Sequence, residues 1–354
     1  MDKKKGELEI GSEFHWQEAS GPFLPWPAPV RFFDLGRVAL LAAWKIHTGK
    51  RQRSLFVPDY FCPDVCRLWQ ERGLKLRRYE DDPRWPHPRW ETLNPGAGDW
   101  VLAVNYFGVR DGNPWTGWRQ RNRRAVLIED HSHDPCSAWA RNSRADYAFA
   151  SLRKILPVPD GAILWSPGRR LKLPETGPQG SWKGSALKLA GMIWKNEYLK
   201  AAVRDPALKS KYREFQTEGE RLLTQNTGGR ISPWSFSLLE RGYPVSWRRK
   251  RTENVGMLLE ILKGRASFVP LFRQWPKGHC PLNAVFVFEG RASRDFFRAH
   301  CVSRGIFTPV HWALGRTGSL RARELSGRML TIPVDHRYGA RDIRRVAEAI
   351  KGIK

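Results

Sequence analysis

The sequence predicts an α/β fold: a large domain with a mostly parallel central sheet flanked by helices, then a smaller α+β C-terminal domain. Three observations predict it. Short apolar runs alternate with helical patterns between residues 54 and 165, the signature of strands joined by crossover helices. Several runs end on aromatic or acidic residues followed by loop signals, as strands do where a parallel sheet meets its ligand-facing loops. The chain has 354 residues and 41% hydrophobic content, enough for one large and one smaller packed domain.

Residues 1–30 are polar, then rich in Pro and Trp (PFLPWPAP). They read as an N-terminal arm that packs on a partner subunit. Asp34 is the predicted N-cap of a helix whose apolar residues Leu35, Val38, Ala39, Ala42 and Ala43 recur at helical spacing until Gly49. Strands follow at 54–57, 74–79, 100–106 and 125–128, with a helix at 63–72. Two further apolar runs, Tyr147–Ala150 and Ala162–Trp165, flank a loop containing Lys154. A long helical pattern spans 186–223, and another spans 233–262. Strands at 284–288 and 330–333 and helices at 293–304 and 340–350 complete the second half. The expected division is arm 1–30, large domain 31–200, and interdomain helix with small domain 201–354.

The formal charge is +26, from 61 basic and 35 acidic residues. The basic residues are dispersed, with short runs at 3–5, 121–124 and 248–251, and no zinc-finger, basic-zipper or RNA-binding signature accompanies them. A basic surface that attracts an anionic small substrate is the reading preferred over nucleic acid. The five cysteines do not form a disulfide framework, and only Cys62 and Cys66 lie close in sequence, so no metal site is expected. No signal peptide and no membrane-spanning run is present, which makes the cytoplasm the default compartment.

The stretch from Glu129 to Trp165 carries the chemistry. Asp130 ends an apolar run, His133 follows three residues later, and Lys154 lies on a loop between two strands. An acid at a strand end and a lysine on such a loop are what pyridoxal 5'-phosphate catalysis asks of a protein. The lysine amine forms a Schiff base with the cofactor, and the acid holds the pyridinium nitrogen protonated. His133 is placed to hydrogen-bond the ring hydroxyl. Ser151 and the helix start at Gly36, with Arg37 adding charge, are the phosphate candidates. Tyr60, Phe61, Tyr106, Asp130 and His133 all follow strand ends and converge on one crevice in such a sheet. Taken singly, an aspartate after a strand also serves as a turn former, and residue spacing alone leads to an α/β enzyme of undefined cofactor.

The pieces also resemble, in order, segments of the DegT/DnrJ/EryC1/StrS family of pyridoxal-phosphate-dependent sugar aminotransferases. They are GRVALLAAW at 36, VPDYFCPDV at 57, VLIEDHSHDP at 126, DYAFASLRKILPVPDGAIL at 146, RGIFTPVHWAL at 304 and LTIPVDHRYGARDIRRV at 330. The resemblance runs from about Gly36 to the C-terminus. It implies a fold-type-I PLP transferase and a catalytic Lys154. It also implies cofactor contacts from Asp130, His133 and Ser151, and a substrate-side His311. An amino-acid donor such as glutamate, a keto-sugar acceptor linked to a nucleotide, and a homodimer with shared active sites are implied as well. Asn226 and the 248–251 run are the residues expected to reach across the dimer, and Tyr106 is a further substrate candidate. The sequence departs from the family pattern at Arg37, where Ser or Thr is usual, at the short Ser151–Lys154 spacing, and at Ala162, where a second glycine is usual. The ring-stacking aromatic falls nearest Cys62, which leaves Tyr60, Phe61 and Cys62 open for that role. A lysine at 154, where some family dehydratases carry histidine, favours transamination over dehydration. Those two reactions and a non-catalytic basic binding protein are the competing readings.

Overall fold

The structure, a computed structural model, describes residues 9–48, 52–169, 171–177, 180–201, 203, 205–225, 229–265 and 267–352. Seven strands form the central sheet: β1 (Arg31–Phe33), β2 (Ser54–Pro58), β3 (Lys75–Tyr79), β4 (Trp100–Val104), β5 (Val126–Asp130), β6 (Tyr147–Ser151) and β7 (Ala162–Trp165). Their order is β1-β7-β6-β5-β4-β2-β3. Every pairing from β3 through β6 is parallel, and β7 runs against both of its neighbours. β2, β4 and β5 are buried along their whole length, as expected of parallel strands covered on both faces. β1 and β3 are the edge strands, and β3 is the parallel one. Its Lys75 and Arg77 are exposed, and such charges oppose pairing with a second chain.

The order places β4 between β2 and β5, so the chain reverses its direction across the sheet at that point. The carboxyl ends of β2, β4, β5 and β6 open on the same edge, where ligands bind in open α/β sheets. Helix α1 (Gly36–Thr48) packs over β6 and β7. Val38 N–H donates to Leu35 O at 3.0 Å, so the cap falls on Leu35, one residue after the Asp34 predicted for it. α2 (Pro63–Glu71) starts on proline, whose missing N–H costs nothing in the first turn. α3 (Asn113–Arg121) follows β4.

The single long helix expected over 186–223 is two antiparallel helices, α4 (Trp182–Lys200) and α5 (Pro206–Gln225). They cross closely at glycines. A Cβ on Gly219 would lie 2.7 Å from Gly184 O. The expected domain boundary at 200/201 falls between these helices. The pattern over 233–262 is also broken, into α6 (Pro233–Leu239) and α7 (Val245–Ile261). Gly242 makes the break, at φ +102°, with Leu24 O only 2.2 Å from where a Cβ would sit. The next residues, Tyr243–Pro244, pair antiparallel with Phe23–Leu24.

The second half contains an antiparallel sheet of β8 (Phe268–Pro270), β9 (Ala284–Phe288) and β10 (Met329–Ile332). Helices α8 (Arg291–Ser303), α9 (Leu320–Arg328) and α10 (Ala340–Lys351) accompany it. Its own core joins Val255 and Leu258 of α7 to Phe286, Phe297, Ile332 and Val346. Ile10–Gly11 of the N-terminal arm joins this domain. Ile10–Gly11 pairs in parallel with Ile306–Phe307, and Gly11 N–H donates to the Tyr338 hydroxyl at 2.7 Å. No helix among the described residues is long and apolar enough to cross a membrane.

Candidate active site

The end of β5 and the turn after β6 bring Asp130, His133 and Lys154 together. Asp130 is buried, and its Oδ1 accepts from Ser132 N–H at 2.8 Å. Ser132 in turn accepts from Ser151 N–H at 2.9 Å through its hydroxyl. This stitches the end of β5 to the end of β6. Lys154 closes the short 3-10 turn Leu152–Lys154 that follows β6.

His133 fixes the orientation of the lysine. Its Nδ1 accepts from Phe107 N–H at 2.9 Å, so its proton lies on Nε2, which is 3.3 Å from Lys154 Nζ. That contact is a hydrogen bond only while the lysine nitrogen holds a lone pair, as an amine or imine does. Burial first, then the Lys154 charge, hold the His133 pKa well below the usual imidazole value. His133 is thus a neutral donor.

Asp130, Ser132, Ser151 and Lys154 line a cleft of about 140 Å³ together with Gly36, Arg37, Phe61, Cys62 and Trp312. The start of α1 presses on β6: a Cβ on Gly36 would stand 3.2 Å from Ser151 Cβ. The N–H groups of Gly36 and Arg37 precede the first helical bond, the donors a helix start offers to an anion. Arg37 Nε is buried without a hydrogen-bond partner. The residues present fit pyridoxal phosphate. Asp130 would supply the anion for a ring nitrogen and Lys154 the amine for an aldehyde. Gly36, Arg37 and Ser151 would form a cationic and N–H-rich cradle for a phosphate.

Trp312 was not singled out by the sequence. Its ring lies over His133 at 5.8 Å with planes 24° apart, and Lys154 Nζ stands 5.3 Å from its centre. Tyr60 and Phe61 resolve differently. Phe61 lines the cleft, stacked on Trp69 at 5.8 Å and packed against Trp312 at 5.7 Å. Tyr60 is fully buried behind it, and its hydroxyl donates to His311 O, holding the 311–312 loop in place. Tyr106 does not reach the wall of this cleft; its hydroxyl donates to Tyr60 O at 2.7 Å. Asn226 lies outside the described residues. Arg248 and Arg251, expected to reach outward to a partner, turn into the fold. Arg248 pairs with Asp134 at 2.9 Å, and Arg251 is buried.

A second, larger cleft of about 680 Å³ adjoins the first and shares Ser151, Arg153, Lys154 and Glu220 with it. Its wall carries Arg251, Arg298, Arg337, Lys188 and His311, and the arm contributes Glu13 and Phe14. Thr331 donates its hydroxyl to Pro309 O at 2.8 Å and accepts from His311 Nδ1 at 3.0 Å. That leaves a lone pair on His311 Nε2. Burial, and then Lys154, push the His311 pKa down to about 3, so the lone pair persists at neutral pH. The Glu220 carboxylate bridges Arg153 and Lys188, and these charges hold its pKa far below the usual carboxylate range against the opposing effect of burial.

The sheet order, the single reversed strand and the separate α+β domain are those of the fold-type-I PLP aminotransferases, and the chain has that fold. Among solved structures it is similar to the aminotransferase TlmJ from Streptoalloteichus hindustanus, at 17% identity and a TM-score of 0.60, over 91% of this chain and 84% of that one. A DegT DnrJ EryC1 StrS aminotransferase from Brucella abortus matches at 15% identity and a TM-score of 0.59, over 92% and 86%. Helicobacter pylori PseC, an aminotransferase involved in the biosynthesis of pseudoaminic acid, matches at 12% and 0.61, over 92% and 86%. No family model matches the sequence, and neither does any curated protein.

Proposed function

We propose that the protein is a pyridoxal-phosphate-dependent aminotransferase that moves an amino group from an amino acid, such as glutamate, to a keto sugar, in amino-sugar biosynthesis. The observation that carries this is the placement of Lys154 Nζ 3.3 Å from a neutral His133, in a cleft that also holds Asp130 and the Gly36–Ser151 cradle. When bound, pyridoxal phosphate supplies the electron sink for charge developing at the substrate Cα. Asp130 would hold the ring nitrogen protonated, Phe61 and Trp312 wall the cleft, and Gly36, Arg37 and Ser151 would hold the phosphate. The Lys154 amine would be the base that takes the Cα proton of the donor. His133 donates from Nε2 throughout and needs no change of charge. His311, with its free lone pair on the wall of the larger cleft, stands on the substrate side. The basic lining of that cleft suits an acceptor carrying phosphate, as a nucleotide-linked sugar does. Assembly as a cytoplasmic homodimer with shared active sites is part of the same proposal.

The test is to add pyridoxal phosphate to the purified protein, reduce with borohydride and map the modified peptide. Pyridoxyl on Lys154 supports the proposal; no modification, or modification of another lysine, sinks it. Assaying the product for an amino sugar as against free ammonia then separates transamination from sugar dehydration.

A further inference from the structure

Basic residues that are dispersed along the sequence are gathered by the central sheet at one place. Strands β2 to β6 run parallel, so their amino ends share the edge opposite the one that carries the clefts. Arg72 and Lys75 stand at the start of β3, Arg123 and Arg124 just before β5, and Arg144 before β6. Lys45 joins them from the last turn of α1. There His47 sits against Trp100 and Tyr147, the first residues of β4 and β6, at 5.5 and 6.2 Å. All six cations are exposed, and none has an ion-pair partner among the described residues.

The carboxylates at this edge are engaged elsewhere. Asp99 accepts from Ser54 N–H at 2.8 Å and from Gly96 N–H at 2.9 Å. Asp146 accepts from Leu127 N–H at 2.8 Å and pairs with Arg119. Glu71 is exposed beside Arg72. Around the clefts, by contrast, Arg153 and Lys188 pair with Glu220, and Arg337 pairs with Asp335. From β3 to β6 the sheet takes four steps, about 19 Å at the usual strand spacing. Cations spread over that distance meet several anionic groups at once, not a single phosphate. Five of the six sit on turns and strand starts, and not on a helix or ribbon of the kind that enters a nucleic-acid groove. Ile46, exposed next to Lys45, adds an apolar side chain suited to a headgroup layer. We propose that this face docks the protein on an anionic phospholipid bilayer, with both clefts turned away from the membrane and open to substrate. Such docking needs neither cofactor nor substrate.

The test is sedimentation of the purified protein with vesicles of phosphatidylcholine, alone or mixed equally with phosphatidylglycerol. Wild type should pellet with the mixed vesicles only and be released by salt. A cation held at such a surface contributes about 5-fold to binding. The triple variant Arg123→Gln, Arg124→Gln, Arg144→Gln should therefore bind about 100-fold more weakly, and Arg72→Gln with Lys75→Gln about 30-fold. A control removes the same charge from exposed positions in the second half of the chain, by Arg273→Gln, Lys277→Gln and Arg344→Gln. It should stay within a few-fold of wild type, because screening at physiological salt confines the attraction to about 8 Å. Thermal melts establish that the variants are folded, and if the triple variant is not, the double variant decides. Failure of the wild type to bind the mixed vesicles would overturn the proposal. Equal losses in the control and in the variants of the amino-end edge would overturn it too, leaving only net charge. Tighter binding to duplex DNA than to the mixed vesicles at the same salt, lost in the same variants, would assign the face to nucleic acid instead.

Discussion

Gly36→Ala tests the phosphate cradle directly. The added Cβ would lie 3.2 Å from Ser151 Cβ and 3.4 Å from both Ser151 N and the Phe149 ring. Both neighbours belong to β6, which is laddered to β5 and β7 and yields less readily than a helix start. The first turn of α1 must therefore back away by a few tenths of an ångström, and overpacking of this kind costs about 1–3 kcal/mol. Alanine returns up to ~1 kcal/mol through its better helix propensity. The melting temperature should accordingly change little. The phosphate donors move with the helix start, so affinity for pyridoxal phosphate should fall roughly 5- to 150-fold, the same energy range read as binding. Absorbance titration of wild type and variant with pyridoxal phosphate measures this, with a thermal melt as control. Undiminished affinity in a folded variant would show that the phosphate does not sit between α1 and β6.

Further predictions follow from the same geometry. Lys154→Ala should abolish both borohydride-fixed pyridoxyl and turnover, as peptide mass mapping and an amino-transfer assay will show. Arg110 and Asp81 form a buried bidentate pair at 2.6 and 2.7 Å. Arg110→Met, which strands the Asp81 charge, should cost about 3–5 kcal/mol in urea unfolding. Burial, then the neighbouring Asp160, raise the Asp34 pKa from 3.8 to about 7. The folded state thus holds a proton that the unfolded state releases between these values, and the Asp34 contribution to stability falls as pH rises from about 4 to 7, by roughly 4 kcal/mol at most. Asp34→Asn should flatten that part of the stability profile, read as the difference between wild-type and variant unfolding curves across that pH range.

The central sheet was legible because parallel strands buried on both faces are unbroken apolar runs, as WVLAV at 100 and VLIED at 126 are. Asp130, His133 and Lys154 were legible as a set because one strand–loop–strand segment carries all three. What failed to show in the sequence depends on distant contacts. Trp312 joins the cleft through distant contacts: Tyr60, some 250 residues earlier, holds the His311 carbonyl, and Ser326 holds that of Trp312. Tyr106 follows a strand end like Tyr60, yet its hydroxyl turns toward Tyr60 O, and a sequence does not reveal which way a ring turns at the start of a 3-10 turn. The α4–α5 reversal was read as one helix because residues 201–205 contain neither glycine nor proline. The break comes with Pro206 at the start of the second helix. The arm strand at Ile10–Gly11 is two residues long, too short for any periodic signal.

That strand has a bearing on how the molecule is made. Its ladder partner is Ile306–Phe307, and Gly11 also leans on Tyr338, 327 positions later. Contacts of such sequence separation close late and slow the search for the native state. During synthesis the large domain can assemble first, while the arm waits for nearly the whole chain to leave the ribosome. Glu13 and Phe14 of the arm line the larger cleft, so a nascent chain completes the sheet and the cofactor cradle before it owns a finished substrate site.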